Sequence, residues 1–235
     1  MKILVFSDTH FPFAHKNYIK FLKDQKELYK PDMVVCTGDL VDNHTLSNYM
    51  KDPDGFSAGD EWKLAKEQLK ELFEVFPAVH WIIGNHDRRP YIKAYNNGMP
   101  EGLIRPLNEI YDCPPEWTIQ PDLVIEGVSY VHGEACGGQN GWQNFCNFEG
   151  QSVVFGHIHS VGGIRYHQNA AGEQKFSMCA GCGVDNEAYA MAYGKHHKNK
   201  PVLGCGFVTD GWEARFLPMN LRTRRYKGYK VKDVS

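Results

Sequence analysis

Short runs of consecutive apolar residues recur along the chain, and a glycine or a polar residue ends each of them. The clearest runs are residues 2–6 (KILVF), 33–37 (MVVCT), 79–83 (VHWII) and 153–155 (VVF). Uninterrupted apolar runs of this length are typical of strands buried on both faces, because a strand with one wet face alternates apolar and polar residues. The pattern therefore predicts several buried strands, each followed directly by a polar turn.

Two segments between these runs carry apolar residues at helical spacing. The first spans residues 16–29 and ends before Pro31. The second spans residues 60–75 and gives the clearer pattern, with Asp60 expected as its N-cap. Its predicted apolar face consists of Trp62, Ala65, Leu69, Leu72 and Phe73. Strands that alternate with helices indicate an α/β protein in which crossover helices cover the faces of a sheet.

The pattern changes after about residue 117, where strand and hairpin signals replace the helical ones. Residues 123–132 (LVIEGVSYVH) predict two strands around Glu126 and Gly127, and residues 205–217 (CGFVTDGWEARFL) predict a hairpin that turns at Asp210 and Gly211. We expect these strands to form a second sheet that packs against the first. Residues 1–220 are interpreted as one domain, with inserted segments at about 43–60 and 88–118 that are rich in Asn, Pro, Gly and Asp.

The composition is that of a folded protein, because 235 residues with 42% hydrophobic and 23% charged side chains can bury a full core. The net charge of −2 gives no overall basic field that would attract nucleic acid. Residues 221–235 differ, since they carry a charge of +5 and leave −7 on the first 220 residues. We interpret this basic tail as a solvated extension, or alternatively as a contact for nucleic acid or a partner subunit. Its cations are Arg222, Arg224, Arg225, Lys227, Lys230 and Lys232.

The sequence also bears on compartment and redox state. No apolar stretch approaches the roughly 20 residues that a membrane-spanning helix needs. The apolar start of the chain is too short for a signal peptide, so we expect a soluble protein of the cytoplasm. The seven cysteines are irregularly spaced and odd in number, which does not suit a disulfide framework. We expect most of them, including Cys179 and Cys182, to be reduced and packed as small apolar side chains.

Polar blocks follow the predicted strands. They are Asp8-Thr9-His10, Gly38-Asp39-Leu40-Val41-Asp42, Gly84-Asn85-His86-Asp87, His132-Gly133 and Gly156-His157-Ile158-His159. Ligands of open α/β sheets bind outside the carboxyl ends of the strands, so we expect the blocks to converge on one edge. So many buried carboxylates and imidazoles are costly without a compensating charge, and divalent metal ions are the chemistry that these side chains prefer.

These blocks, in this order, resemble the signature of the calcineurin-like metallophosphoesterases: D-x-H, G-D-x-x-D, G-N-H-[DE], H and G-H-x-H. The match extends from residue 8 to residue 159 and fills every ligand position. The resemblance implies an αββα sandwich, in which two mixed β-sheets are flanked by helices and a dinuclear metal site lies at the strand ends. It also implies a metal-dependent hydrolase of phosphate esters.

The resemblance assigns roles to matching positions. Asp8, His10 and His159 would bind the first ion, Asn85, His132 and His157 would bind the second, and Asp39 would bridge both. A metal-bridging hydroxide would attack phosphorus in line, and His86 would donate a proton to the leaving group. Asp42 would hold the imidazole of His86, raise its pKa and fix its tautomer. Manganese is the expected metal, and iron, zinc or nickel would also suit these ligands.

Departures from the protein Ser/Thr phosphatases of this superfamily narrow the function. Those enzymes carry arginines where this chain has Asn43 and Ile83. The candidate substrate-binding residues here are Arg88 and Arg89, which follow the third block, and His44. The resemblance favours a phosphodiesterase that acts on nucleotides or nucleic acid. The alternatives are a phosphomonoesterase acting on a protein or a small molecule, and a catalytically silent metal-binding scaffold.

Overall fold

The structure is a computed structural model that describes residues 1–48, 51, 55–136, 140–185, 187–188 and 200–221. The basic tail beyond residue 221 lies outside the described residues, so both interpretations of it, a solvated extension and a contact for nucleic acid or a partner subunit, stay predictions. Among the described residues, no helix is both long enough and apolar enough to cross a bilayer. Each of the seven cysteines, all of which are described, is a free thiol, and most of them are buried as expected.

The described residues contain eleven strands, which form two mixed sheets. In chain order the strands are β1 (Lys2–Phe6), β2 (Met33–Cys36), β3 (Val79–Ile82), β4 (Trp117–Gln120), β5 (Leu123–Ile125), β6 (Val128–Tyr130), β7 (Ser152–Phe155), β8 (Gly163–Gln168), β9 (Gln174–Cys179), β10 (Gly204–Thr209) and β11 (Glu213–Pro218). The first sheet has the order β11-β10-β1-β2-β3-β4, and the second has the order β5-β6-β7-β9-β8. Strands β1 to β4 are parallel, as are β6, β7 and β9, whereas the remaining pairs are antiparallel.

Helices cover the outer faces of the two packed sheets. They are α1 (Tyr18–Tyr29), α2 (Ala58–Val75), α3 (Arg89–Asn96), α4 (Leu107–Ile110) and α5 (Phe145–Glu149), with 3₁₀ turns at His44–Leu46, Glu101–Leu103 and Gly141–Asn144. Helices α1 and α2 are amphipathic and bury one face each against the first sheet. Helix α5 covers the outer face of the second sheet.

Alternate residues of β1 show how the layers are held together. Leu4 and Phe6 join the apolar cluster under α1 and α2, whereas Ile3 and Val5 face the second sheet. The other face of the second sheet packs against α5 through Phe155 of β7. Burial on both faces explains why these strands read as continuous apolar runs. The predicted αββα sandwich is therefore confirmed.

Two boundaries and the position of one hairpin differ from the sequence-based expectation. The hairpin of residues 205–217 is expected in the second sheet, but β10 pairs antiparallel with β1 and places the hairpin in the first sheet. Helix α2 begins at Ala58, and Ser57 rather than Asp60 is its N-cap, because the Ser57 hydroxyl oxygen accepts a hydrogen bond from the Asp60 amide at 3.1 Å. Asp60 lies in the first turn, where a carboxylate is favourable to the helix dipole. The segment 88–118, expected as a long loop or inserted element, contains α3 and α4 and starts β4, which lies at the edge of the first sheet.

Candidate metal centre

The polar blocks that follow the parallel strands meet at the carboxyl edges of the two sheets. The first sheet contributes Asp8, His10, Asp39, Asp42, Asn85 and His86, and the second contributes His132, His157 and His159. The structure thus brings together the side chains that the sequence pointed to as ligands or catalytic groups. They lie in one cluster because both sheets end their parallel strands at the same side of the sandwich.

Tight turns directly after the strands aim these side chains. The backbone is left-handed at Asp8 (φ +49°), His10 (φ +50°), Asp39 (φ +51°) and His157 (φ +64°). This conformation costs a residue other than glycine of order 1–3 kcal/mol and is concentrated at functional sites. The surrounding structure therefore holds four candidate ligands in conformations that they would not adopt alone.

Close packing explains two of the glycines in the blocks. A Cβ atom on Gly84 would overlap with the carboxylate and the amide nitrogen of Asp39. A Cβ atom on Gly156 would overlap with the side chains of Ser7 and Asp8 in the same way. A glycine is required at each position because the loops that carry the candidate ligands pass one another with no room for a side chain.

Asp8, His10 and His159 form the first ligand group. The Nε2 atoms of the two histidines are 3.1 Å apart, and His159 Nε2 is 3.1 Å from Asp8 Oδ1. His10 Nε2 is 3.7 Å from the same carboxylate oxygen. Two imidazole nitrogens and a carboxylate oxygen are thus directed at one point, which is the arrangement that a shared cation requires.

Asp39, His132 and His157 form the second ligand group. His132 Nε2 is 3.2 Å from Asp39 Oδ2 and 3.2 Å from His157 Nδ1. Asn85 adds an amide oxygen 2.9 Å from His132 Nε2. Asp39 Oδ2 is also 3.7 Å from His10 Nε2, so Asp39 connects the two groups.

Each of the two carboxylates has one oxygen anchored and the other directed into the cluster. Asp8 Oδ2 accepts hydrogen bonds from the His157 amide at 2.9 Å and from the Ser7 hydroxyl at 2.5 Å. Asp39 Oδ1 accepts one from the His86 amide at 2.7 Å. The anchored oxygens fix the carboxylate planes, which leaves Oδ1 of Asp8 and Oδ2 of Asp39 for a cation. The Ser7 contact was not anticipated from the sequence, because a serine beside a ligand carries no distinctive signal.

The outer nitrogens of two histidines are held in the same manner. His132 Nδ1 is 2.9 Å from the carbonyl oxygen of Thr37, so it carries the proton and leaves Nε2 free as a donor to a cation. His10 Nδ1 is 3.0 Å from Asp42 Oδ2. Such outer hydrogen bonds orient histidine ligands and increase their basicity.

The same contacts shift the protonation of the cluster. Burial disfavours the charged form of His10, but hydrogen bonds to Asp42 and Asp8 outweigh it and raise the pKa to about 10. Burial also opposes protonation of His132, yet the charge of Asp39 raises its pKa to about 9. Both rings would therefore hold a proton at neutral pH without a bound cation. A cation must displace these protons, so its affinity is expected to rise with pH up to about 10 at the group of His10 and up to about 9 at the group of His132.

His86 lies at the edge of the cluster, between Asp42 and Arg89. Its Nδ1 is 3.1 Å from the main-chain oxygen of Asp42 and 3.4 Å from Asp42 Oδ1. Its Nε2 accepts a hydrogen bond from the Arg89 guanidinium at 3.1 Å. The Nδ1 tautomer is thus fixed mainly by a carbonyl group, whereas the Asp42 carboxylate contacts His10 and Arg89 more closely.

Asp42 acts on the pKa of His86 in the expected direction, but other groups outweigh it. Burial lowers the pKa most, and the charge of a protonated His10 lowers it further. Asp39 and Asp42 act in the opposite direction but do not compensate. The pKa of His86 therefore lies below its ordinary value, rather than above it.

The other two candidate substrate-binding residues lie on opposite sides of this region. The Arg88 guanidinium pairs with Glu134 at 2.5 Å, two residues after His132. The backbone amide of His44 donates to the buried carboxylate of Glu61 on α2 at 2.5 Å, and its ring meets Phe13 edge to face. Neither side chain belongs to the ligand groups of the described residues.

Asp87 holds the loops after β2 and β3 together, a role that was not predicted from the sequence. Its buried carboxylate accepts hydrogen bonds from the amides of Asp39 (2.9 Å), Val41 (3.2 Å) and Gly84 (2.8 Å) and from the indole of Trp81 (3.1 Å). Burial and the charge of Asp39 raise the pKa of Asp87 to about 6. Its position as the last residue of the G-N-H-D block was the one available signal.

The donor set fits divalent metal ions. The groups of His, Cys, Asp and Glu that could hold an ion in the described residues consist of histidines and aspartates, without a cysteine. Imidazole and carboxylate together suit manganese, iron, zinc or nickel, whereas structural zinc sites use thiolates. The close approach of ring nitrogens at 3.1 and 3.2 Å supports the same conclusion, since a cation between them would bind both.

Comparison with known proteins gives curated and structural relatives. The gene 54 protein of Mycobacterium phage L5 is 27% identical over 261 residues, covering 90% of this chain and 98% of the phage protein. The gene 54 protein of Mycobacterium phage D29 is 28% identical over 201 residues, covering 74% and 75%. Yfce, a phosphoesterase from E. coli, has 16% identity and a TM-score of 0.48, with 89% of each chain covered.

A family model gives the decisive match. The model of the calcineurin-like phosphoesterases matches residues 1–168, which is more than half of the chain. This range runs from β1 to the end of β8 and includes both ligand groups, from Asp8 to His159. A chain that matches the model over the strands and the loops that build the site belongs to the calcineurin-like phosphoesterase family and is a hydrolase of phosphate esters.

Proposed function

We propose that this protein is a dinuclear metal-dependent phosphodiesterase that acts on substrates of nucleotide or nucleic-acid type. Three groups among the described residues could hold an ion, and the third, of His10, Asp39 and His86, overlaps the other two. The observation that carries the proposal is that Asp39 connects the groups of His10 and of His132. Two cations that share a carboxylate are a recurrent arrangement for phosphoryl transfer. Family membership establishes a hydrolase of phosphate esters, and the proposal adds the number of metal ions and the class of substrate.

The two ions use separate sets of side chains. Asp8, His10 and His159 would hold one ion, Asn85, His132 and His157 would hold the other, and Asp39 would contact both. When bound, divalent ions neutralise phosphate oxygens and lower the pKa of a coordinated water molecule. Manganese is the metal we propose, with iron, zinc and nickel as the other metals that the donors suit.

His86 is the proposed proton donor to the leaving oxygen. A lowered pKa makes the imidazolium a stronger acid, which favours proton transfer to an alkoxide or phenolate. Arg89 donates to His86 Nε2 and to Asp42, so its guanidinium holds the ring in place. A phosphate oxygen offers this guanidinium a stronger, charge-assisted acceptor, and Arg89 would then release Nε2. The freed Nε2 would take up a proton from water, which His86 would pass to the leaving oxygen.

Apolar side chains on two sides of the cluster favour a diester over a monoester. Phe13, whose amide donates to the carbonyl oxygen of His10 at 2.7 Å, stacks on the exposed ring of Phe56. Ile83 precedes Gly84 on the other side, where it borders an apolar groove. A diester carries two substituents on phosphorus, and the exposed ring of Phe56 and the groove beside Ile83 are the apolar surfaces that we assign to them.

The test compares hydrolysis of bis-p-nitrophenyl phosphate with that of p-nitrophenyl phosphate. We expect manganese-dependent cleavage of the diester, with a higher kcat/KM than for the monoester, and loss of activity in excess chelator. His86→Ala should lower kcat by about 10²–10⁴, the usual contribution of a general acid. His80→Ala is the matched control, because His80 bonds Thr118 at the far end of β3 and should leave the rate unchanged.

Other outcomes would replace the proposal with one of its alternatives. Efficient cleavage of the monoester alone would make the protein a phosphomonoesterase. Binding of metal without cleavage of either ester would favour a silent scaffold. An unchanged rate in His86→Ala would remove His86 from the chemistry.

A further inference from the structure

An apolar groove of about 650 Å³ lies beside the candidate metal centre. It is formed by the start of α3, the segment 104–108 and the edge strand β4. Its apolar lining includes Ile83, Tyr91, Ile104, Leu107, Trp117 and Ile119. None of these side chains belongs to a ligand group, and Ile83 alone was used above, as an apolar surface for one substituent of a diester.

The groove borders the loop that carries Asn85 and His86. Ile83 comes directly before this loop and Arg88 directly after it, and both side chains line the groove. Arg88 also pairs with Glu134, which follows His132 by two residues. Arg88 thus links the inner end of the groove to the segment that follows His132, a member of the second ligand group.

The outer end of the groove continues along α3. A smaller cavity of about 270 Å³ shares Tyr91, Ile92 and Ile104 with the groove and adds Tyr95 and Met99. Ile92, Tyr95 and Met99 are 44%, 81% and 47% exposed, so apolar surface remains open to water here. Apolar clefts of a few hundred Å³ that contain a few polar groups are typical of small-molecule sites.

The polar groups of the groove indicate the class of occupant. Tyr91 offers an aromatic face on which a planar ring can stack. Asn108 provides an amide that can both donate and accept a hydrogen bond, and Arg88 provides a cation at the inner end. A nucleobase linked to a phosphate uses all three groups, whereas an alkyl chain would use none of them.

We infer that this groove binds the nucleoside substituent of the substrate, with the base against Tyr91 and the phosphate toward Arg88. The inference rests on the proposed phosphodiesterase activity and assigns its substrate class. It gives the inserted segment 88–118 a function as the specificity element of the enzyme.

The test uses two esters with the same leaving group, thymidine 5′-(p-nitrophenyl phosphate) and methyl p-nitrophenyl phosphate. We expect kcat/KM to be at least about tenfold higher for the nucleoside ester, the size of effect that base–aromatic stacking provides. Ile104→Asp, which places a charge in the groove, and Tyr91→Ala should each lower this ratio about tenfold or more. Leu103→Asp is the matched control, since Leu103 is 73% exposed, neighbours Ile104 and does not line the groove.

The outcomes separate the two proposals. Failure of the wild-type protein to cleave either ester would contradict the phosphodiesterase activity itself. Cleavage of both esters with equal kcat/KM, or a ratio that Ile104→Asp and Tyr91→Ala leave unchanged, would overturn the groove assignment alone. A change of oligomeric state in Ile104→Asp, measured by light scattering with the ratio unaltered, would assign the groove to a second copy of the chain instead.

Discussion

Gly84 shows how a single position controls the cluster. The Cβ atom of any larger residue at this position would overlap with the carboxylate and the amide nitrogen of Asp39. Among the described residues, Asp39 is the one whose Oδ2 atom lies within 4 Å of the Nε2 atoms of both His10 and His132. A displacement of Asp39 would therefore disturb both ligand groups together.

Gly84→Ala should consequently lower metal affinity and diesterase activity by at least about tenfold, because the added methyl group must push Asp39 or the loop aside. Metal titration followed by calorimetry measures the affinity. Gly102→Ala is the matched control, since a Cβ atom there meets nothing within 4 Å. Equal affinity in the two variants would show that the loops can separate without loss of the site.

At the scale of the elements, the loops after β2 and β3 act as one unit. Asp87 belongs to the β3 loop and accepts hydrogen bonds from the amides of Asp39 and Val41 in the β2 loop. It also accepts one from Gly84 and one from Trp81. The position of Asp39 relative to Asn85 is thus set by a carboxylate that is itself no ligand.

Asp87→Asn should destabilise the fold by about 3 kcal/mol or more. The NH₂ group of the asparagine would face the buried N–H groups that donate to Asp87, and the negative charge that these N–H groups stabilise would be lost. Urea unfolding followed by circular dichroism measures the change. Asp122→Asn, at an exposed turn between β4 and β5, should change stability by less than about 0.5 kcal/mol. Similar midpoints for the two variants would refute the role of Asp87 as a tie between the loops.

At the scale of the whole molecule, the candidate ligands join the two sheets. The first ligand group takes Asp8 and His10 from the first sheet and His159 from the second. The second group likewise takes Asp39 from the first sheet and His132 and His157 from the second. A cation in either group would therefore add a connection between two layers that also meet through apolar contacts and a few hydrogen bonds.

Divalent metal should accordingly raise the thermal stability of the protein. At a free metal concentration 100 times Kd, one bound ion adds about 2.7 kcal/mol, which corresponds to an increase in Tm of roughly 5–10 °C for a chain of this size. Differential scanning calorimetry with manganese and with chelator measures the shift. His157→Ala should reduce the shift and His80→Ala should keep it; a shift that survives in His157→Ala would exclude His157 as a ligand.

Patterns local in the chain were predictable. The buried strands were visible because burial on both faces requires apolar side chains at successive positions. The ligand blocks were visible because each directly follows such a strand. The N-cap of α2 was misplaced, because Ser57 and Asp60 are both good capping residues and the choice depends on where the chain enters the helix.

The sequence by itself thus determined the positions of the buried strands β1, β2, β3 and β7, the family, and the side chains that gather at the strand ends. Tertiary structure alone decided that Asp42 contacts His10 more closely than His86, that Arg89 covers His86 Nε2, and that Asp87 ties two loops. It also decided that the segment 88–118 forms an apolar groove beside the site. The physical reason is that side-chain composition and spacing are local properties of the chain. Hydrogen-bond partners, burial and pKa shifts depend instead on residues that are distant in sequence and meet only in the folded state.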